Sequence, residues 1–329
     1  MAVLNISMTA LKVIIADFLG WKRNTEGAGA DWSTETIARL GEVINTAARK
    51  VYYPTVIGSG GESRQHQWSF LRHHTTLTTS EPYDTGTVTI VSTAVTLADG
   101  TFPSWAAYGD LVVDSEHYEV VTRGGDTSLT LSRAADCDAG TSYSLERFVY
   151  DLPTDFDSMR SDPVYHVDHA EGYRTLKRTS VEHIHRLRRD DGDETDYPQW
   201  YAVRPGEWAT ATGQRWEFLV WPTPVAEVVL EYEYGVQPSV TVATDTYFRG
   251  GPLLATALEE MCLAVAEMRY GDRSGSHAGI AREALLAAID ADADRMALPY
   301  LIGDHGGELS DPPTDYVLTP TITLNGEEM

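Results

Sequence analysis

Ten histidines and two cysteines are the residues from which a metal or nucleophile centre would be built. The histidines pair along the chain: His73 with His74, His166 with His169, His183 with His185. A spacing of three would put His166 and His169 on one helical face, but Pro163 and the neighbouring Val and Tyr disfavour a helix there. His183 and His185, two apart, point to different sides of the helix expected around them. No His-Glu-x-x-His pattern occurs. Asp290-Ala291-Asp292-Ala293-Asp294 imitates the start of a calcium loop. Arg295, however, stands where the sharp turn needs glycine, and Leu301 where a bidentate glutamate belongs. That run reads as a solvated helix end. Gly58-Ser59-Gly60-Gly61 lacks the Gly-Lys-Ser/Thr that completes a phosphate cradle. No Gly-x-Ser-x-Gly elbow and no Cys–His spacing marks a nucleophile. The sequence therefore assigns no catalytic residue, no cofactor and no metal site, and it favours a protein that is not an enzyme.

One cluster of charge stands out. Arg174, Lys177, Arg178, Arg186, Arg188 and Arg189 gather on a chain whose formal net charge is -24 and whose pI is near 4.6. Three readings stay open for it: pairing with neighbouring acids, contact with the acidic surface of a second copy, and contact with nucleic acid. The second makes these six residues a candidate intersubunit surface. The overall charge argues against a surface that grips nucleic acid, because phosphate binding needs a basic footprint. It suits solubility, or a surface that DNA passes without adhering.

The elements that would position these residues follow from periodicity. Ser7 to Leu19 reads as a helix capped by Ser7, with Leu11, Ile14, Ile15 and Phe18 as its stripe. Asp31-Trp32-Ser33-Thr34-Glu35 opens a second, with Ile37, Leu40, Val43, Ile44, Ala47 and Val51 inward. Trp68-Ser69-Phe70-Leu71 begins a strand-like segment reaching Thr79. From Asp84 to about Arg147 the texture turns to short alternating segments split by Gly, Asp and Pro turns. That stretch predicts a small inserted all-β barrel or sandwich. A helix capped by Ser180 runs to Arg189. Trp200–Arg204, Arg215–Trp221 and Val228–Tyr234 alternate as three strands of an antiparallel meander. Pro252 to Ala297 reads as a helix hairpin on which the core assembles. Its stripes are Leu254, Leu258, Met261, Val265 and Met268, then Ile280, Ala284, Leu285, Ala288, Ile289, Ala293 and Met296.

The fold class expected is thus α+β: a helical body with a C-terminal helix hairpin, an antiparallel β meander and an inserted small all-β barrel or sandwich. Residues 1–83 and 148–302 form the body, 84–147 the insertion, and 303–329 an extended tail. The tail is poor in apolar residues except Tyr316-Val317-Leu318 and Ile322-Thr323-Leu324, short islands suited to adding onto a partner. Mean hydropathy of -0.26 indicates a soluble protein, and no run of about 18 apolar residues would cross a membrane. No secretory signal is read at the N-terminus, and two lone cysteines fit a reducing, cytoplasmic place of synthesis.

This order of parts resembles the head–tail adaptor (connector) proteins of tailed bacteriophages. Four stretches carry the likeness: the N-terminal helix pair around Ile37 to Val51; the β insertion returning through Tyr150-Asp151-Leu152-Pro153-Thr154-Asp155-Phe156; the meander from Trp216 to Tyr234, with Trp221-Pro222-Thr223-Pro224 and Glu231-Tyr232-Glu233-Tyr234-Gly235; and the helix hairpin with Ala266-Glu267-Met268-Arg269-Tyr270-Gly271-Asp272 at its turn. The resemblance implies a structural virion protein of the neck. It implies a ring, usually of twelve copies, that joins the portal protein to the tail nozzle or tail tube and leaves a channel for double-stranded DNA. It assigns portal docking to the C-terminal segment, and so to Tyr316, Val317, Leu318, Ile322 and Leu324 here. The alternatives are a tail completion or gatekeeper protein, and an enzyme or glycan-binding module using Trp105 of the insertion.

Overall fold

The computed structural model describes residues 5–21, 32–57, 63–168, 175–190, 194–206, 213–238, 247–271, 275–296, 323–324 and 327–328. Within them the fold is mixed α+β. The helices are α1 (Met8–Phe18), α2 (Thr34–Tyr52), α3 (Val181–Asp190), α4 (Pro252–Tyr270) and α5 (His277–Met296). Strands β1 (Thr55–Ile57), β2 (Ser63–Gln65) and β3 (Arg72–Thr78) follow α2. Next come β4 (Thr87–Ala98), β5 (Asp110–Val113), β6 (Glu116–Gly125), β7 (Ser128–Thr141) and β8 (Ser144–Glu146). β9 (Val149–Asp151), β10 (Phe156–Met159), β11 (Val164–Tyr165) and β12 (Lys177–Arg178) lead to α3. β13 (Thr195–Asp196), β14 (Trp200–Pro205), β15 (Trp216–Trp221), β16 (Thr223–Pro224) and β17 (Val229–Val236) precede α4. β18 (Thr323–Leu324) and β19 (Glu327–Glu328) pair near the C-terminus.

Three apolar clusters hold these elements. The first joins α1, α2, α4 and α5 through Leu11, Ile15, Leu40, Ile44, Leu258 and Val265. Its helices start where the side chains dictate. Ser7 Oγ accepts from the Ala10 N–H at 3.2 Å, and Ser33 Oγ accepts from the Thr36 N–H at 3.2 Å. Each satisfies a donor that the helix itself leaves open. Ser33→Ala is therefore expected to lower stability by about 1 kcal/mol, read as an earlier urea midpoint at unchanged slope. The hairpin departs from the expected stripes. Leu254, Leu258, Val265 and Ala288 are buried as the stripes require, but Met268 is 65% exposed and Ile280 is exposed, while Ala266 and Ala281, outside the stripes, are buried. Small side chains let the helices approach closely, which brings these alanines into the contact. The hairpin organises this cluster rather than the whole chain.

The second cluster lies between two sheets. In one, β17 pairs antiparallel with β3 on one side and with β10 and β11 on the other. The other runs β12-β14-β15-β9. Phe218 of β15 stacks on Tyr201 at 5.3 Å and on Tyr232 of β17 at 6.3 Å, so the sheets meet face to face through aromatic rings. The expected three-strand meander is thus corrected. β14 and β15 are neighbours, but β17 belongs to the facing sheet. Between them Thr223–Pro224 pairs in parallel with β13, which takes the chain out of the first sheet. β12 also pairs in parallel with β14, so the β12-β14-β15-β9 sheet is mixed, while the β17 sheet is antiparallel throughout.

The third cluster is the insertion, built on Val88, Ile90, Val95, Leu97, Leu111, Leu129, Leu131 and Leu145. Its sheet runs β4-β7-β6-β5-β8 and stays open. The expected small barrel or sandwich is thus all-β but not a closed barrel. Three-residue β8 is too short to complete a ladder with β4, and a single bridge of Tyr83 with Leu145 links the two ends. Irregular pairing at Ser92, whose φ is 57°, bends β4. Gly86 then lies against the Ala98 carbonyl at the far end of the same strand.

Candidate functional site

His66, Ser69 and Asp292 meet, three residue types that can make a hydrolytic triad. Ser69–Leu71 is a 3₁₀ turn where a strand was expected to start, and strand pairing begins only at Arg72. Asp292 of α5 explains the turn. Its Oδ2 accepts from the Ser69 N–H at 2.9 Å and its Oδ1 from the Ser69 Oγ at 2.5 Å. His66 Nε2 lies 3.1 Å from Oδ2. The carboxylate therefore stands between hydroxyl and imidazole, whereas a triad needs the imidazole on the hydroxyl. The arrangement ties α5 to the turn instead. Asp292 is 0% exposed, which corrects the solvated helix end expected there. Asp290 and Asp294 on either side are exposed.

Of the other histidines, His74 and His166 both approach Glu231, at 3.9 and 3.4 Å. His73 Nδ1 is 3.1 Å from the Tyr234 hydroxyl. His166 lies 3.2 Å from Asp168 and 3.4 Å from Glu231, and His169 lies outside the described residues. His183 contacts Arg186, and His185 faces a different cleft. Among the described residues no three His, Cys, Asp or Glu side chains gather for a metal ion. Cys262 is buried in α4, where burial pushes its thiol well up, so it is not poised to react.

The basic cluster divides. Arg174 lies outside the described residues. Lys177, Arg178, Arg186 and Arg189 are exposed, with Lys177 5.6 Å from the Trp200 ring centre. Two of them lie on β12 and two on α3. Arg188 turns the other way. Its guanidinium lies 3.4 Å above the Phe148 ring and pairs with the carboxylate of Asp110 in β5 of the insertion. Both side chains are more than four-fifths buried. Beside them a cleft of about 460 Å³ opens between insertion and body, lined by His117, Glu119, Arg133, His185, Arg204 and Glu217 among others. Arg204 Nε donates to Glu217 at 2.6 Å. Burial lowers the His185 pKa, Arg204 and Arg188 lower it further, and Asp110 opposes them. Asp110 escaped the sequence reading, because nothing in Gly-Asp-Leu-Val-Val distinguishes a buried acid from a turn residue.

Of the tail residues, Tyr316, Val317, Leu318 and Ile322 lie outside the described residues. Leu324 falls in β18, opposite Glu327. Trp105 is half-buried against the insertion's core, so little of its ring is open to a sugar. Among the described residues no helix is long and apolar enough to cross a membrane.

Among curated proteins nothing matches the chain. A family model does: the SU10 adaptor protein model matches residues 89–302. The match runs from the insertion through both facing sheets to the end of the hairpin, more than half of the 329 residues. The chain belongs to the SU10 adaptor protein family, a family of phage head–tail adaptors.

Proposed function

We propose that this phage structural protein works as a closed ring, of twelve copies, that joins the portal to the nozzle or tail tube and gives DNA a channel. The family match over residues 89–302 carries the reading. In it, residues 1–83 and 148–302 form the ring wall, residues 84–147 stand on it as a separate unit, and residues 303–329 reach the portal. Repeated head-to-tail contacts close a ring by rotation. The exposed side chains of Lys177, Arg178, Arg186 and Arg189 suit one side of such a contact, against the acidic surface of the next copy. Arg188 is already paired within its own chain and takes no part in it. Twelve chains of charge -24 would line a channel that repels phosphate, so DNA meets no adhesive wall.

Mass photometry of the purified chain, alone and with its portal, tests this. The expected result is a ring of defined mass on the portal. A chain that stays monomeric beside assembled portal would sink the reading. Removing Asp311 to Met329 is expected to abolish docking and leave the melting temperature within a degree or so, because the three cores lie elsewhere. Docking by the shortened chain with unchanged affinity would take the tail out of the mechanism.

A further inference from the structure

We infer that the insertion is a hinged unit, held in its observed position by Arg188 and Asp110 acting as a latch. The two units share no apolar core. Leu145, Leu111 and Val120 belong to the cluster of the insertion, and Phe148, Tyr150 and Phe218 to that of the facing sheets. No strand of β4 to β8 pairs with a strand of the body among the described residues. Where a rigid joint would pack apolar side chains, the structure has a polar cleft of about 460 Å³. Such joints between domains move by default.

Two chain crossings make the hinge. Thr79 to Asp84 leads in and Glu146 to Phe148 leads out, and the amides of Tyr83 and Leu145 each bond the other's carbonyl at 2.9 and 2.8 Å. At this crossing Arg147 lies 5.5 Å from the Tyr108 ring of the insertion and 4.5 Å from the Tyr150 ring of the body. An arginine between two rings can slide without losing its contact, as interdigitated apolar side chains cannot.

Beside the outgoing crossing, Arg188 reaches from α3 over Phe148 to Asp110, whose strand neighbour is Glu146. Removing one partner of a buried pair leaves the other charge uncompensated, so the pair resists opening while both are present. The Phe148 ring beneath fixes the guanidinium plane. Arg188 Nε is buried with no bonded partner, so the pair is held through Nη2. Opening returns both groups to water and offsets much of the lost attraction.

Hydrogen exchange on the full-length chain tests the latch. Arg188→Met keeps the apolar stem over Phe148 and removes the charge. The expected result is exchange at Tyr83 and Leu145 faster by about ten-fold or more, with Leu131 of β7 and Leu230 of β17 unchanged. Asp110→Asn should act in the same direction. Exchanging the charges, with Arg188→Asp and Asp110→Arg together, should restore part of the protection. Wild-type exchange at Tyr83 and Leu145 in both single variants would overturn the proposal. So would equal acceleration at Leu131, since the pair would then be holding the insertion's own fold together.

Discussion

Asp292→Ala should lower the stability of the helical unit by about 3 kcal/mol, the largest loss expected from any one exposed-looking acid in this chain. The carboxylate is 0% exposed and serves two donors of Ser69 as well as His66. Alanine leaves the Ser69 N–H without its acceptor inside the protein. An unmade bond of this kind costs more than a made one contributes, because the group has already left water. Asp292→Asn keeps one oxygen for the backbone donor and should lose about half as much. Asp290→Ala, two residues away on another helix face and exposed, should stay within about 0.5 kcal/mol of the parent. Urea unfolding followed by helical circular dichroism gives all three values. An Asp292→Ala midpoint equal to that of Asp290→Ala would show that the bonds to the turn contribute nothing.

Gly86→Val should unfold the insertion and leave the rest standing. Gly86 has φ +85°, and a Cβ there would lie 2.2 Å from the Ala98 carbonyl oxygen. The left-handed backbone costs a β-branched residue roughly 1–2 kcal/mol, and overpacking against rigid backbone adds about 1–3 kcal/mol. A sheet of five strands with its own small core has little stability to set against that sum. Amide exchange separates the outcomes. Leu129 and Leu131 in β7 should lose protection while Leu230 in β17 keeps it. Parallel loss at Leu230 would mean that the two units fold as one.

The helices could be read from the sequence because their determinants are local. Ser7, Ser33 and Ser180 each stand at an observed helix start, and Ser180 Oγ accepts from the His183 N–H at 3.1 Å. Alternation likewise located β14, β15 and β17 to within a residue or two. It could not say which sheet each joins, since Phe218 and Tyr232 look alike whether they lie side by side or face to face. Asp292 escaped for a related reason. Its period matches Asp290 and Asp294, and only the Ser69 amide, more than two hundred residues away in the chain, separates them. Arg188 was grouped with its neighbours by spacing, yet α3 turns it toward Phe148 and Asp110 while Arg186 and Arg189 face solvent. The three strands, the helical unit and the family were within reach of the sequence. The assignment of single charges to inside or outside was not, because it depends on contacts between distant segments.

Strand β3 has its partner in β17, joined in register from Val229↔Thr78 to Gly235↔Arg72. Everything in the insertion pairs within residues 83–146. On the ribosome, therefore, β3 emerges early and waits with bare backbone edges while the intervening segment completes its own sheet. Its seven residues, Arg72–Thr78, stay unmatched until synthesis has passed Val236. A translational pause in that interval would prolong the exposure of a sticky edge, and the charge and polarity of Arg72, His73, His74, Thr75 and Thr76 make that wait less hazardous than a run of valines would.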